Sequence, residues 1–181
     1  MLLFALTLLS APLPAQEPAC ITRANAQQLA ERPSPLESVT FTVGAAQVKV
    51  CYGAPSVRGR KIFGELVPWG QLWRTGANEP TMIHTTAPIT VAGVAIPAGV
   101  VSLYTVPMEN GEWEVVLNRS TQQWGSEGGY EQIKGQEIGR GKAKASTLMA
   151  PAEKMTFRAD GTTLLLEWER TRLELPLAGT R

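Results

Sequence analysis

Along most of the chain, apolar residues return at every second position, in runs too short for helices. In VTFTV, Val39, Phe41 and Val43 share one face while Thr40 and Thr42 take the other. Gly44-Ala45 fits a tight hairpin loop into AQVKVCY, where Val48, Val50 and Tyr52 alternate with Gln47, Lys49 and Cys51. MIHTT, ITVAGVAIP and VVSLYTV follow, punctuated by Pro88, Gly93 and Gly99. Trp113, Val115 and Leu117 share a face of WEVVLN, and Met155 and Phe157 share one in EKMTFRA. Leu164, Leu166 and Trp168 alternate in TTLLLEWE, and Leu173, Leu175 and Leu177 in RLELPL, with Pro176 pushing that last strand to an edge. About eight to ten short strands separated by turn signals predict an all-β fold, a single antiparallel β-sandwich, jelly-roll-like or barrel-like.

Four stretches break the two-residue period. Residues 1–15, MLLFALTLLSAPLPA, hold an apolar run ended by Pro12 and Pro14, the pattern of a signal peptide cut near Ala15–Gln16. An exported protein, periplasmic or extracellular, is expected; the alternative of a lipid anchor on Cys20 is weakened by its Glu17-Pro18-Ala19 approach. Ala24 to Glu31 is Ala/Gln-rich and stopped by Pro33 and Pro35, which predicts a short helix and an extended linker over 16–37. The sandwich domain then spans 38–178. The segment from Arg58 to Thr81 has neither period, and Ser120 to Lys142 is polar, glycine-rich and loop-like, with one helical turn expected around Tyr130–Lys134.

Composition narrows the function classes. With 181 residues and a net charge of +1, the chain suffices for one domain with a real core and lacks the basic excess of a nucleic-acid binder. No apolar run is long enough for a transmembrane segment in the mature chain. The two cysteines, Cys20 and Cys51, are a candidate disulfide in an oxidising compartment, with two unrelated thiols as the alternative. Nothing in the pattern sets a number of subunits.

Familiar catalytic sets are missing. His84 is the only histidine, so no histidine-based metal cluster can form, and neither a metal nor a cofactor is implied. His84 reads as a structural or surface residue. Ser102, Ser120 and Ser126 lack a nucleophile-elbow setting. Glu79 and Glu137 are the carboxylates that could serve as acid and base, given a cleft and a raised pKa.

The segment RGRKIFGELVPWGQLWRTGANEPT concentrates the remaining chemistry. Together with VAGVAIPAGVVSLYTVP and WEVVLN, it resembles the bacterial family known as domain of unknown function 2911, over Ser34 to Leu177. The Arg-Gly-Arg, Phe-Gly, Trp-Arg-Thr-Gly-Ala-Asn-Glu and Pro-Ala-Gly elements carry the resemblance. After Pro-Ala-Gly the chain reads Val100-Val101-Ser102-Leu103, a mild departure from the family's usual Tyr-Ser-Leu pattern. The resemblance implies an exported all-β protein and brings no catalytic residue with it.

The residues themselves go further. Arg58, Arg60 and Arg74 supply planar forks for carboxylate or phosphate oxygens, and Trp69 and Trp73 supply faces for stacking. Asn78 and Glu79 add groups that orient hydroxyls. These seven are the candidate ligand site for a small anion or saccharide, on a loop borne by a β scaffold. The same residues also fit an internal support of an envelope protein with no small-molecule site, in which Arg74 pairs with Glu79 or Glu65 and the tryptophans plug the end of the sandwich. A glutamate-dependent hydrolase or lyase is the third reading. Trp113 and Trp168 lie at core-facing phases; Trp124, Tyr130, Glu137 and Arg140 are expected at the rim of a pocket against the Arg58–Thr81 segment.

Overall fold

The structure is a computed structural model that describes residues 17–123 and 127–180. The expected signal peptide and Trp124 lie outside the described residues. Helix α1 (Ala26–Glu31) starts later than the composition predicts because Asn25 caps it: the Asn25 side chain accepts from Gln28 N, and the Gln28 side chain accepts from Asn25 N, both at 2.9 Å. It ends at Arg32, which Pro33 holds extended. None of its residues is buried, so α1 leans on its flanks for its place.

The strands are β1 (Leu36–Val43), β2 (Ala46–Gly53), β3 (Thr81–Thr85), β4 (Ile89–Val91), β5 (Val94–Ile96), β6 (Gly99–Val106), β7 (Glu112–Asn118), β8 (Glu137–Asp160) and β9 (Thr163–Gly179). They form one antiparallel sheet in the order β1-β2-β3-β6-β7-β8-β9-β4-β5. Its edges, β1 and β5, are not hydrogen-bonded to each other, so the sheet folds over without closing into a barrel. The inward positions read from the alternation meet in one core: Val48, Val50, Leu103, Trp113, Val115, Leu117, Phe157, Leu164, Leu166, Trp168, Leu173 and Leu175 are all buried there. A smaller cluster on the other face of β6 and β7 packs Tyr104 and Val116 under Tyr130 and Ile133.

Two strands are longer than the alternation suggests. The sequence predicts a loop through Lys142, yet Glu137 to Lys142 already pair with β7 as the start of β8. It also predicts two strands where β9 is one. Register shifts between Thr147 and Ala152 and between Ala152 and Thr156 bend this hairpin, and Glu169, opposite Ala152, takes a φ of 53° there. Such bulges break the period-two pattern while the strand continues. Nor is the Pro176 strand an edge, since β9 lies between β8 and β4. Pro176 is tolerated because the β4 ladder ends beside it, with its carbonyl accepting from Ala92 N at 2.8 Å.

Residues 17–25 run along the outer face of β2. Glu17 Oε2 accepts from Lys49 Nζ at 3.3 Å. Cys20 is disulfide-bonded to Cys51, with Cα atoms 5.7 Å apart. Met82 and His84 of β3, on the face that carries Cys51 and Lys49, are both buried.

Candidate functional site

The connection from β2 to β3 is held along its length. Leaving β2, it runs beside β8, with Val57 N donating to Glu153 O at 2.7 Å and Met155 N donating to Pro55 O at 2.9 Å. Gly53 makes room for its return: a Cβ there would lie 2.0 Å from Ala77 O. Ile62, Phe63 and Val67 then dive into the core. Trp73 exchanges two backbone bonds with Thr105 of β6, at 2.8 and 2.9 Å.

Aromatic residues organise the interior of this connection. Phe63 meets Trp113 at 4.9 Å, Trp73 at 5.7 Å and Trp168 at 5.9 Å, each edge to face. Trp73 lies stacked against Trp168. Trp69, half-exposed, stacks on the far side of Phe63 and covers Gly64, where a Cβ would come within 2.6 Å of the indole Nε1. Aromatic surface buried in this way supplies much of a small core's stability.

Beside this cluster lies a cleft of about 400 Å³, within the range of ligand sites. Arg58, Arg60, Trp73 and Arg74 line it, with Pro33 and Ser34 from the linker after α1, Leu66, Pro68, Gln71 and Leu72 from the connection, and Trp168 from β9. Arg58 Nη2 donates to Pro33 O at 2.9 Å. Arg60 donates through Nε to Val57 O at 2.9 Å and through Nη2 to Ser56 O at 2.6 Å. Both guanidinium groups are therefore fixed by backbone carbonyls.

Between Arg74 and Gly76, two lining residues, sits Thr75, fully buried with a φ of 57°. A β-branched residue in this region is strained by about 1–3 kcal/mol. The local bonds hold it there: its hydroxyl meets Trp73 O at 3.2 Å and the Thr105 hydroxyl at 3.1 Å, and its carbonyl accepts from the Thr81 hydroxyl at 2.6 Å. Strain of this kind gathers where a chain must aim particular side chains.

The other sequence candidates lie elsewhere. Trp69 and Asn78 do not line the cleft; Asn78 Nδ2 donates to Ser34 O at 3.2 Å and borders a separate shallow hollow with Arg23 and Arg32. Glu79 is buried and pairs with Arg32 at 2.7 Å, while Glu65 meets Lys61 at 3.7 Å. One cation on Glu79 thus comes from the segment after α1. Burial pushes the Glu79 carboxyl up, but hydrogen bonds from Arg32 and the Thr22 hydroxyl outweigh it and hold the group below the ordinary carboxylate value.

Tyr130, Glu137 and Arg140 form their own cluster. Tyr130 packs edge-on against Tyr104 at 4.8 Å and donates to Glu137 Oε1 at 2.9 Å. Arg140 pairs with Glu137 at 2.7 Å and with Glu114 at 2.6 Å, and its hydrogen bond, first of all, lowers the Glu137 carboxyl. Tyr130 and Arg140 border a hollow with Gly70 and Glu114 that shares only Leu72 with the cleft. Among the described residues, no group of His, Cys, Asp or Glu could hold a metal ion.

Sequence reasoning missed Pro33, Ser34, Leu66, Leu72 and Trp168 as lining residues. Trp168 was legible only as core, because its strand phase is an inward one. Pro33 and Ser34 carry no chemical signal at all; they reach the cleft through the turn after α1.

The model of one family, described as "Protein of unknown function (DUF2911)", matches residues 34–177. No curated protein and no solved structure matches the chain.

Proposed function

Since the chain belongs to the DUF2911 family, whose description names no activity, we propose from the cleft itself that this is an exported protein that binds a small anionic or polyhydroxylated compound. The observation that carries the reading is that Arg58, Arg60 and Arg74 line one cleft together with Trp73 and Trp168. Guanidinium forks beside an aromatic face form a site in which charge fixes orientation and apolar surface supplies affinity. The strained Thr75 supports it, because it sits between two of the lining residues.

Export rests on the apolar run of residues 1–15 and on the pairing of Cys20 with Cys51, a bond that suits an oxidising compartment. Mass measurement of the protein recovered from its native compartment tests this. A chain beginning near Gln16 with its two thiols bonded supports export, and a full-length reduced chain counts against it.

Thermal-shift and calorimetric screening against sugars, carboxylates and phosphates tests the binding reading, with Arg74→Ala as control. Binding lost in the variant supports it. Absence of binding, or equal binding to the variant, refutes it.

The hydrogen bonds of Arg58 and Arg60 to backbone carbonyls favour a second reading, a structural or interaction protein of the envelope whose arginines only hold the connection in place. Under that reading, Arg58→Ala and Arg60→Ala lower the melting temperature and no small molecule raises it. A catalytic role for Glu79 or Glu137 draws no support from their settings, since both are held by arginines and lowered, opposite to the raised pKa of a general acid.

A further inference from the structure

The cleft is rich in cationic donors, and its side-chain acceptors are limited to Gln71, Ser34 and Ser56. Its lining includes three arginines and no Asp, Glu or Asn. Glu153 accepts the backbone N–H of Arg58 at 2.9 Å and does not line the cleft. After the carbonyl bonds described above, Arg58 Nε and Nη1 and Arg60 Nη1 have no partner among the described residues. Trp168, which lines the cleft and is almost wholly buried, keeps its Nε1–H without an acceptor among the described residues. An arginine and an indole can only donate.

A saccharide hydroxyl must usually donate as well as accept, and this lining has no carboxylate to receive its proton, only the amide of Gln71 and the hydroxyls of Ser34 and Ser56. An oxyanion accepts only, and it gains charge-assisted bonds from each fork it meets. Much of the rest of the lining is apolar: Leu66, Val67, Pro68 and Leu72 stand with Trp73 and Trp168, and Leu66 is exposed. Such a wall rewards a ring or other compact apolar body with the transfer free energy of its buried surface.

We infer that the cleft takes a small organic oxyanion, a carboxylate or phosphate monoester bearing an aromatic or cyclic body, in preference to a saccharide. This rests on the binding reading above and narrows its ligand. The oxyanion is held by Arg58 and Arg60, and the ring lies against Leu66, Leu72 and the edge of Trp73.

Calorimetric titration of the exported, disulfide-bonded protein tests the assignment with six probes: phenylacetate, phenyl phosphate, acetate, inorganic phosphate, methyl phenylacetate and N-acetylglucosamine. At least one ring-bearing anion should bind about tenfold more tightly than its ringless counterpart, and phenylacetate or phenyl phosphate should exceed the neutral ester by a similar factor. Comparing the two ring-bearing anions separates carboxylate from phosphate recognition. Arg60→Gln should weaken the anions about tenfold, the loss of one charge-assisted bond, while the fold stays intact because the side chain is exposed. Leu66→Ser should erase about threefold or more of the ring's advantage and leave inorganic phosphate unchanged.

Equal affinity for the neutral ester, equal affinity for the ringless anions, or preference for N-acetylglucosamine would each overturn the oxyanion assignment while leaving a binding function in place. If none of the six binds, and the wider panel of sugars and acids also fails, the binding function falls with it.

Discussion

The indole of Trp73 lies nearly parallel to that of Trp168, with ring centroids 5.9 Å apart and planes inclined by 19°. One ring comes from the long connection and the other from β9. Both are buried, and both line the cleft. The stack belongs to the core and lines the cleft, so stability and binding must be read together at these two positions.

Truncating Trp73 to alanine should cost about 3–5 kcal/mol in urea unfolding, as removal of a large buried aromatic does. Trp73→Phe keeps a ring against Trp168 and should lose far less, so it is the variant for binding work. A cost below about 1 kcal/mol for the alanine variant would mean that the stack is not a support.

The Arg32–Glu79 pair should behave as a buried ion pair, each side chain being 5% exposed. Removing Arg32 alone should destabilise the protein by about 3–5 kcal/mol, and the double variant Arg32→Ala/Glu79→Ala by less than the sum of the singles. The acid limb follows. The Glu79 carboxyl is depressed below 4.5, so its stabilisation is complete above that pH and disappears as the pH falls through the depressed value. Glu79→Gln should flatten unfolding free energy against pH below about 4.5; an unchanged acid slope would remove Glu79 as its source.

His84 should act in a higher window. Burial, then the positive charge of Lys49, pushes its imidazole below its ordinary value of 6.5. The unfolded chain therefore binds the proton first, and stability is lost as the pH drops from 6.5 towards the depressed value. His84→Gln should reduce the change in melting temperature between neutral pH and mildly acidic buffer. A variant with the same pH profile as the wild type would contradict this.

Breaking the Cys20–Cys51 bond frees a loop closed over a sequence separation of 31 residues. The chain-entropy account gives about 3–4 kcal/mol for a loop of this length. Cys20→Ser, or dithiothreitol, should lower the midpoint of unfolding accordingly. Amide exchange should also rise first in residues 17–25, which the bond ties to β2.

Strand content and facing were legible in the sequence because the pattern comes from burial on one side of a sheet. Val48, Val50, Trp113, Val115 and Leu117 took the faces that alternation assigns. The pattern failed where both sides are occupied or neither is: in β8 the residues from Glu137 to Lys142 pair with β7 without an apolar stripe, and the bulge near Glu169 hid the continuity of β9. Within the candidate site, Arg58, Arg60, Trp73 and Arg74 could be chosen by side-chain chemistry, and the fold brings them together. Asn78 and Glu79 sit just beyond them in sequence, yet the turn at Asn78, with a φ of 65°, directs them to the segment around α1 instead. Arg32 was illegible as their neighbour. No local pattern encodes a contact made across 47 positions.

The bent β8–β9 hairpin carries a mechanical consequence. Early β8 pairs with β7, its later half pairs with the start of β9, and the end of β9 pairs with β4. Two long strands therefore stitch the β7 side of the sheet to β4, so the middle of the sheet is carried by a single hairpin. Nicking by a protease within the described hairpin should yield no stable fragment, only collapse of the whole.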